Sequence, residues 1–136
     1  STWFTNWVGV IFPANLSQTV AVTGVTDRSG LKECNNCHYG SAVDFAVVMQ
    51  RDSDSDRNSL TLSNQDASPI NWPSYTGGSS CATATMAGIA AVVWAKNAGQ
   101  SRSSVINKLK QASSEYPSRD SDFGWGKINV ELATSF

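Results

Sequence analysis

Two short segments carry apolar and β-branched residues in the pattern of buried strands. Thr19 to Val25 reads TVAVTGV, apolar on alternate positions. Ala42 to Met49 reads AVDFAVVM, an apolar run of strand length with nothing that favours a helix. A turn is expected at Asp27 to Gly30, and a polar loop, Cys34 to His38, lies between the two strands. Arg51 to Ser74 is rich in Asp, Ser and Asn and predicts a long surface excursion rather than an element. After Gly77 and Gly78 the chain changes to SSCATATMAGIAAVVWAKN, which predicts a buried helix entered from a glycine turn. Lys96 supplies the charge that helix C-termini favour, and Gly99 is the expected cap. A second helix is expected from Ser101 or Ser103, with Val105, Ile106, Leu109 and Ala112 on its apolar face. Its Asn107, Lys108 and Lys110 are expected to face water. The end passes through a glycine turn, FGWGK, into a short strand, INV, and a last fragment of helix.

Strand, loop, strand, glycine-led helix, helix and tail strand is an α/β order, compatible with a mostly parallel sheet covered by helices. Two strands and a tail strand make a thin sheet, so the chain reads as part of a domain. A length of 136 residues, 40% of them hydrophobic, provides for one core. A net charge of -1 with the ten Lys and Arg spread along the chain leaves no basic stripe, which argues against nucleic acid as a partner. The longest apolar run, Ala87 to Ala95, is about half the roughly 20 residues of a membrane span, so no membrane segment is expected. No basic start followed by an apolar stretch opens the sequence, so any secretion signal was removed or belonged elsewhere. Of the three cysteines, Cys34 and Cys37 stand close enough for a local disulfide or remain thiols, and Cys81 sits among small apolar residues as a buried thiol. Such a set, with low charge, points to export.

The segment Gly78 to Gly88, GSSCATATMAG, resembles the nucleophile signature GTSMAxPxxAG of subtilisin-like serine proteases and places the family's nucleophile on Ser80. A serine in the first turn of a helix has a backbone N–H free of helical partners, where the dipole favours developing negative charge. Taken alone the pattern is equally that of a helix cap. Colinearity decides: Ile11 to Val25, IFPANLSQTVAVTGV, is similar to the family's YPA-like turn and following strand, AVDFAVV to its next strand, and FGWGKINVELA to its closing YGxGxINxxxA segment. The resemblance covers nearly the whole chain. It implies the C-terminal portion, residues 1–136, of a single catalytic domain with a three-layer α/β fold and a mostly parallel sheet. It further implies that Ile11, Gly78 and Ser79 contact a polypeptide substrate.

The departures bear on function. Ala84 and Thr85 stand where the family commonly has Pro-His, a histidine that is not the catalytic one, and Cys81 replaces the usual Met as a packing variant. The family's catalytic Asp, catalytic His and oxyanion-hole Asn all lie before the YPA-like turn, outside this sequence. Asn6 is too close to that turn to serve as the oxyanion donor. His38, the only histidine, falls in the loop between strands and not on the family's histidine helix. A serine hydroxyl is a poor nucleophile until an imidazole takes its proton, so the chain alone is expected to be inactive. The expected partner is the N-terminal portion of the same protease as a second chain, retained after a nick in a surface loop. The whole is expected to be a secreted serine endopeptidase needing no cofactor. The alternative is a catalytically inactive pseudoprotease or binding module with Ser80 as a mere cap.

Two constellations compete with this reading. Cys34-x-x-Cys37-His38 matches the pattern of c-type haem attachment, with Met49 or Met86 as a distal ligand. No second ligand pair supports zinc. Asp52, Asp54 and Asp56 alternate like the start of a calcium loop, but Arg57 stands where the glycine belongs and the terminal Glu is missing, which excludes an EF-hand and leaves room for a looser structural calcium site.

Overall fold

The computed structural model describes residues 9–51, 60–61, 74–75 and 78–136. Strand β1 (Val22–Thr26) pairs in parallel with β2 (Phe45–Gln50), Val22 opposite Phe45 and Val25 opposite Val48. Both expected strands are present but start later. The backbone N–H of Ala21 is taken by the Asp44 carboxylate at 2.9 Å, and the ladder begins beyond that contact. Segment 127–128 extends the sheet on the far side of β2: Ala46 N donates to the Gly126 carbonyl and Ile128 N to the Ala46 carbonyl, each at 2.9 Å.

Within the polar excursion, β3 (Leu60–Thr61) and β4 (Ser74–Tyr75) form a short antiparallel pair, so that stretch does contain an element. Asp52, Asp54 and Asp56 lie outside the described residues, as does Asn6. Helix α1 (Gly78–Lys96) follows, then α2 (Arg102–Gln111), which Ser101 caps by accepting from Ser104 N at 3.3 Å. Ser101, and not Ser103, is therefore the cap. Gly99 lies in the turn after α1 with φ 88°, a conformation suited to glycine.

Successive strand residues point to opposite faces. Phe45, Val47 and Met49 pack with Ala82, Met86, Ile89 and Val93 of α1 and Val105, Leu109 and Ala112 of α2. On the opposite face Val25 and Ala46 meet Phe123. Between β1 and α1 the space is narrow: a Cβ on Gly24 would lie 2.6 Å from Cys34 Sγ and 2.7 Å from Cys37 Sγ. The sulfurs occupy the volume that a side chain at position 24 would take.

Several expectations are corrected. The segment INV is no strand: residues 127–128 make isolated bridges, and Asn129 caps α3 (Val130–Ser135) by accepting from Leu132 N at 2.9 Å. Asn107 is exposed, but Lys108 and Lys110 are half-buried, their ammonium groups over the Phe136 and Trp125 rings at 5.4 and 5.1 Å from the centroids. Cys81 is half-buried rather than buried. Helix α1 buries only Gly78, Ala82, Met86, Ile89 and Val93; Val92 and Trp94 remain 50% and 43% exposed. The apolar stretch also runs longer than Ala87 to Ala95. Among the described residues this 19-residue helix is the one whose length and composition would allow it to cross a membrane. Its buried face packs on β2 and α2, as in a globular core.

Replacing Gly24 by Ala is expected to lower stability by about 1–3 kcal/mol through overpacking against the two sulfurs. Denaturant unfolding checks this, and an unchanged midpoint would count against the packing described.

Candidate active site

Ser80 sits exposed on the first turn of α1. Where the helix begins, no preceding turn supplies carbonyl acceptors, so backbone N–H groups there are available to an anion or to a loop. A loop takes one of them: Ser79 N donates to the Asn36 carbonyl at 3.4 Å. The neighbouring contact runs the other way, as His38 N donates to Ser79 Oγ at 2.8 Å. Gly78 has φ 76°, and a Cβ there would stand 3.0 Å from the Asn36 carbonyl oxygen. The glycine therefore permits both the backbone turn into α1 and its close approach to the loop.

Ser80, Ser79 and Ile11 line one cavity of about 230 Å³, together with Val10, Val22 and His38 among others. Ile11 is 62% exposed. It is held from behind by a short turn in which Asn15 N donates to the Ile11 carbonyl at 3.3 Å and Thr19 Oγ1 donates to the Leu16 carbonyl at 2.7 Å. Gly9 N anchors the same segment to the Tyr39 carbonyl at 2.6 Å. Three of the four site residues expected from sequence thus border a common space. Gly78 does not; it is buried against Asn36, and its part is to shape the approach of Ser79 and Ser80.

His38, which its place in the sequence does not suggest as a base, is among the residues that line the same cavity. Its backbone is held at both ends, N–H by Ser79 Oγ and carbonyl by Thr23 Oγ1. Sequence reasoning missed this meeting of the Cys34–His38 loop with α1, because 41 residues separate His38 from Ser79. The unusual run of two cysteines around two asparagines was the available signal.

Cys34 and Cys37 form a close pair with Cα atoms 5.3 Å apart, a separation a disulfide spans. Both are fully buried and their sulfurs press on Gly24. Among the described residues no group of three or more His, Cys, Asp or Glu side chains is placed to hold a metal ion.

The C-terminal segment braces the site from the far edge. Arg119 Nη2 donates to the Val43 carbonyl at 2.6 Å and pairs with Asp44 Oδ1 at 3.4 Å, while the same carboxylate holds Ala21 N. As a partly exposed ion pair this contributes at most about 1 kcal/mol. Its main effect is to fix the relative positions of three backbone segments.

The sequence was compared with known families and structures. Residues 6–126 match the model of the Subtilase family. No curated protein matches the sequence. Among solved structures, the chain resembles a protease of Pseudoalteromonas arctica PAMC 21717, with 25% identity, a TM-score of 0.68, and 91% of this chain covering 37% of that one. It also resembles a lanthipeptide protease, with 19% identity, a TM-score of 0.69, and 91% of this chain covering 43% of that one. Fervidolysin of Fervidobacterium pennivorans, a keratinolytic enzyme related to subtilisin, shares the fold at 14% identity and a TM-score of 0.71, with 92% of this chain covering 20% of that one. The chain thus spans less than half the length of each of these proteases. With Ser80 on the first turn of α1 and the family match extending across β1 to β4 and all of α1 and α2, the chain belongs to the subtilase family.

Proposed function

We propose that this chain is the C-terminal portion of the catalytic domain of a secreted serine endopeptidase and that Ser80 is its nucleophile. The observation that carries the reading is the placement of Ser80, exposed on the first turn of α1 and bordering the cavity that Ile11 and Ser79 also line. In the reaction, Ser80 Oγ attacks the scissile carbonyl while its proton passes to an imidazole. The imidazole then protonates the leaving amine, and water hydrolyses the resulting acyl-enzyme. The backbone N–H of Ser80 contributes to the oxyanion site, aided by the helix dipole.

The imidazole, its orienting carboxylate and a second oxyanion donor come from the N-terminal portion of the same domain, carried as a second chain after a nick. The exposed apolar side of α1, including Val92 and Trp94, supports this, since a surface of that kind beside a partly covered sheet is one that a larger fold covers. Among the described residues, the second edge of β1 is met by the short segment 32–34 alone, with Thr26 N donating to the Lys32 carbonyl at 3.0 Å and Cys34 N to the Gly24 carbonyl at 3.4 Å.

In the native protein, Ser80→Ala is expected to lower peptide hydrolysis by more than about a thousandfold. Undiminished hydrolysis by the folded variant would remove Ser80 from the reaction, whereas no hydrolysis by the unmodified protein would favour the binding-module alternative. Native mass spectrometry is expected to show the N-terminal portion bound to this chain; a lone folded chain would contradict the proposed partner. The absorption spectrum of the same material is expected to lack a Soret band, and its presence would favour the haem reading.

A further inference from the structure

The loop Cys34–His38 touches the proposed nucleophile's helix at its start, and resting on the reading of Ser80 as nucleophile, we propose that a Cys34–Cys37 disulfide makes this loop a clamp that positions Ser80 for attack. Three observations converge. The two half-cystines are fully buried, with their sulfurs seated over Gly24 of β1, so the loop is fixed to the sheet from below. Cys34 N donates to the Gly24 carbonyl at 3.4 Å, Cys37 N to the Cys34 carbonyl at 3.2 Å, and Asn35 N to Gln50 Oε1 at 2.6 Å, which ties the same turn to the middle of β1 and the end of β2. From above, Asn36 and His38 hold Ser79 through the two hydrogen bonds at 3.4 and 2.8 Å, one residue before Ser80.

The connection from sheet to nucleophile is therefore short: Gly24, the sulfur pair, the Asn36 carbonyl, Ser79, Ser80. Asn36 adopts φ 60°, a left-handed conformation that asparagine tolerates and that turns its carbonyl toward α1. A covalent bond across the turn holds that conformation. The ring runs only from Cys34 to Cys37, a separation of 3 in sequence, where the effect of a cross-link on unfolded-chain entropy is smallest. Its effect is accordingly local, on the geometry of the turn. Burial keeps reductants from the bond while the fold is closed, which makes it a permanent brace and not a redox switch. Asn36, Ser79 and the two half-cystines are positioning residues, since none need touch the reacting carbonyl for the clamp to act.

The test uses the whole native protease. Alkylation after denaturation without reductant, read by mass spectrometry, is expected to modify Cys81 but neither Cys34 nor Cys37 in this chain; alkylation of all three overturns the disulfide independently of any activity. For a chromogenic peptide ester, Cys34→Ala/Cys37→Ala is expected to lower kcat on the order of ten- to a hundredfold, as sub-ångström to ångström misplacement of a reacting group does, with KM within about twofold. Ser79→Ala, which keeps the sulfurs and removes the acceptor for His38 N–H, is expected to lower kcat in the same sense, and Ser79→Thr to restore it. Circular dichroism reports folding, and if the cysteine variant does not fold, the Ser79 pair decides. Wild-type kcat in the folded variants overturns the clamp while leaving the protease reading intact. Absence of hydrolysis by the unmodified protein overturns the protease reading, and the clamp with it.

Discussion

The contact between the Cys34–His38 loop and the start of α1 is the constraint on which the rest of the site depends. Parallel strands and a covering helix can slide along one another unless something fixes their register. Here the sulfur pair fills the space above Gly24, and the hydrogen bonds to Ser79 fix where α1 begins relative to β1. Once that point is set, the helical repeat brings Ala82, Met86, Ile89 and Val93 onto Phe45, Val47 and Met49. Ser80 is then left on the open side, beside the cavity and the turn that carries Ile11.

The remaining surface follows from the same arrangement. Core contacts occupy one stripe of α1, while its other side carries small and apolar residues into solvent. Small residues suit a helix that is approached closely on several sides, and the packing within this chain uses only some of them. The structural relatives are more than twice as long as this chain. The Arg119 link from the C-terminal segment to Val43 and Asp44 belongs to the opposite edge and stabilises the part of the sheet that is already covered.

Much of this was legible in the chain, for local reasons. The glycine entry to α1, the Ser101 cap and the apolar face of Val105 and Leu109 are set by neighbouring residues, and the structure repeats them. What the pattern concealed depended on distant partners. Lys108 and Lys110 read as solvent-facing until the Phe136 and Trp125 rings come beneath them. INV has strand composition, yet the Asn129 cap starts a helix at Val130. The apolar length of α1 predicted burial, but burial requires a covering surface, and the described residues cover only one side. At the site, the glycine-led start of α1 that carries Ser80 was readable, whereas the contact of the Cys34–His38 loop with Ser79 joins residues 41 apart and left only a pair of cysteines as its trace.

On the proposed function, Ser80 is an activated nucleophile. The most direct measurement is reaction of the native, complete protein with a fluorophosphonate, followed by peptide mapping of the adduct. Modification of Ser80, abolished by prior denaturation, is expected. A native protein that shows no adduct at Ser80, or that carries it on another residue, would contradict it.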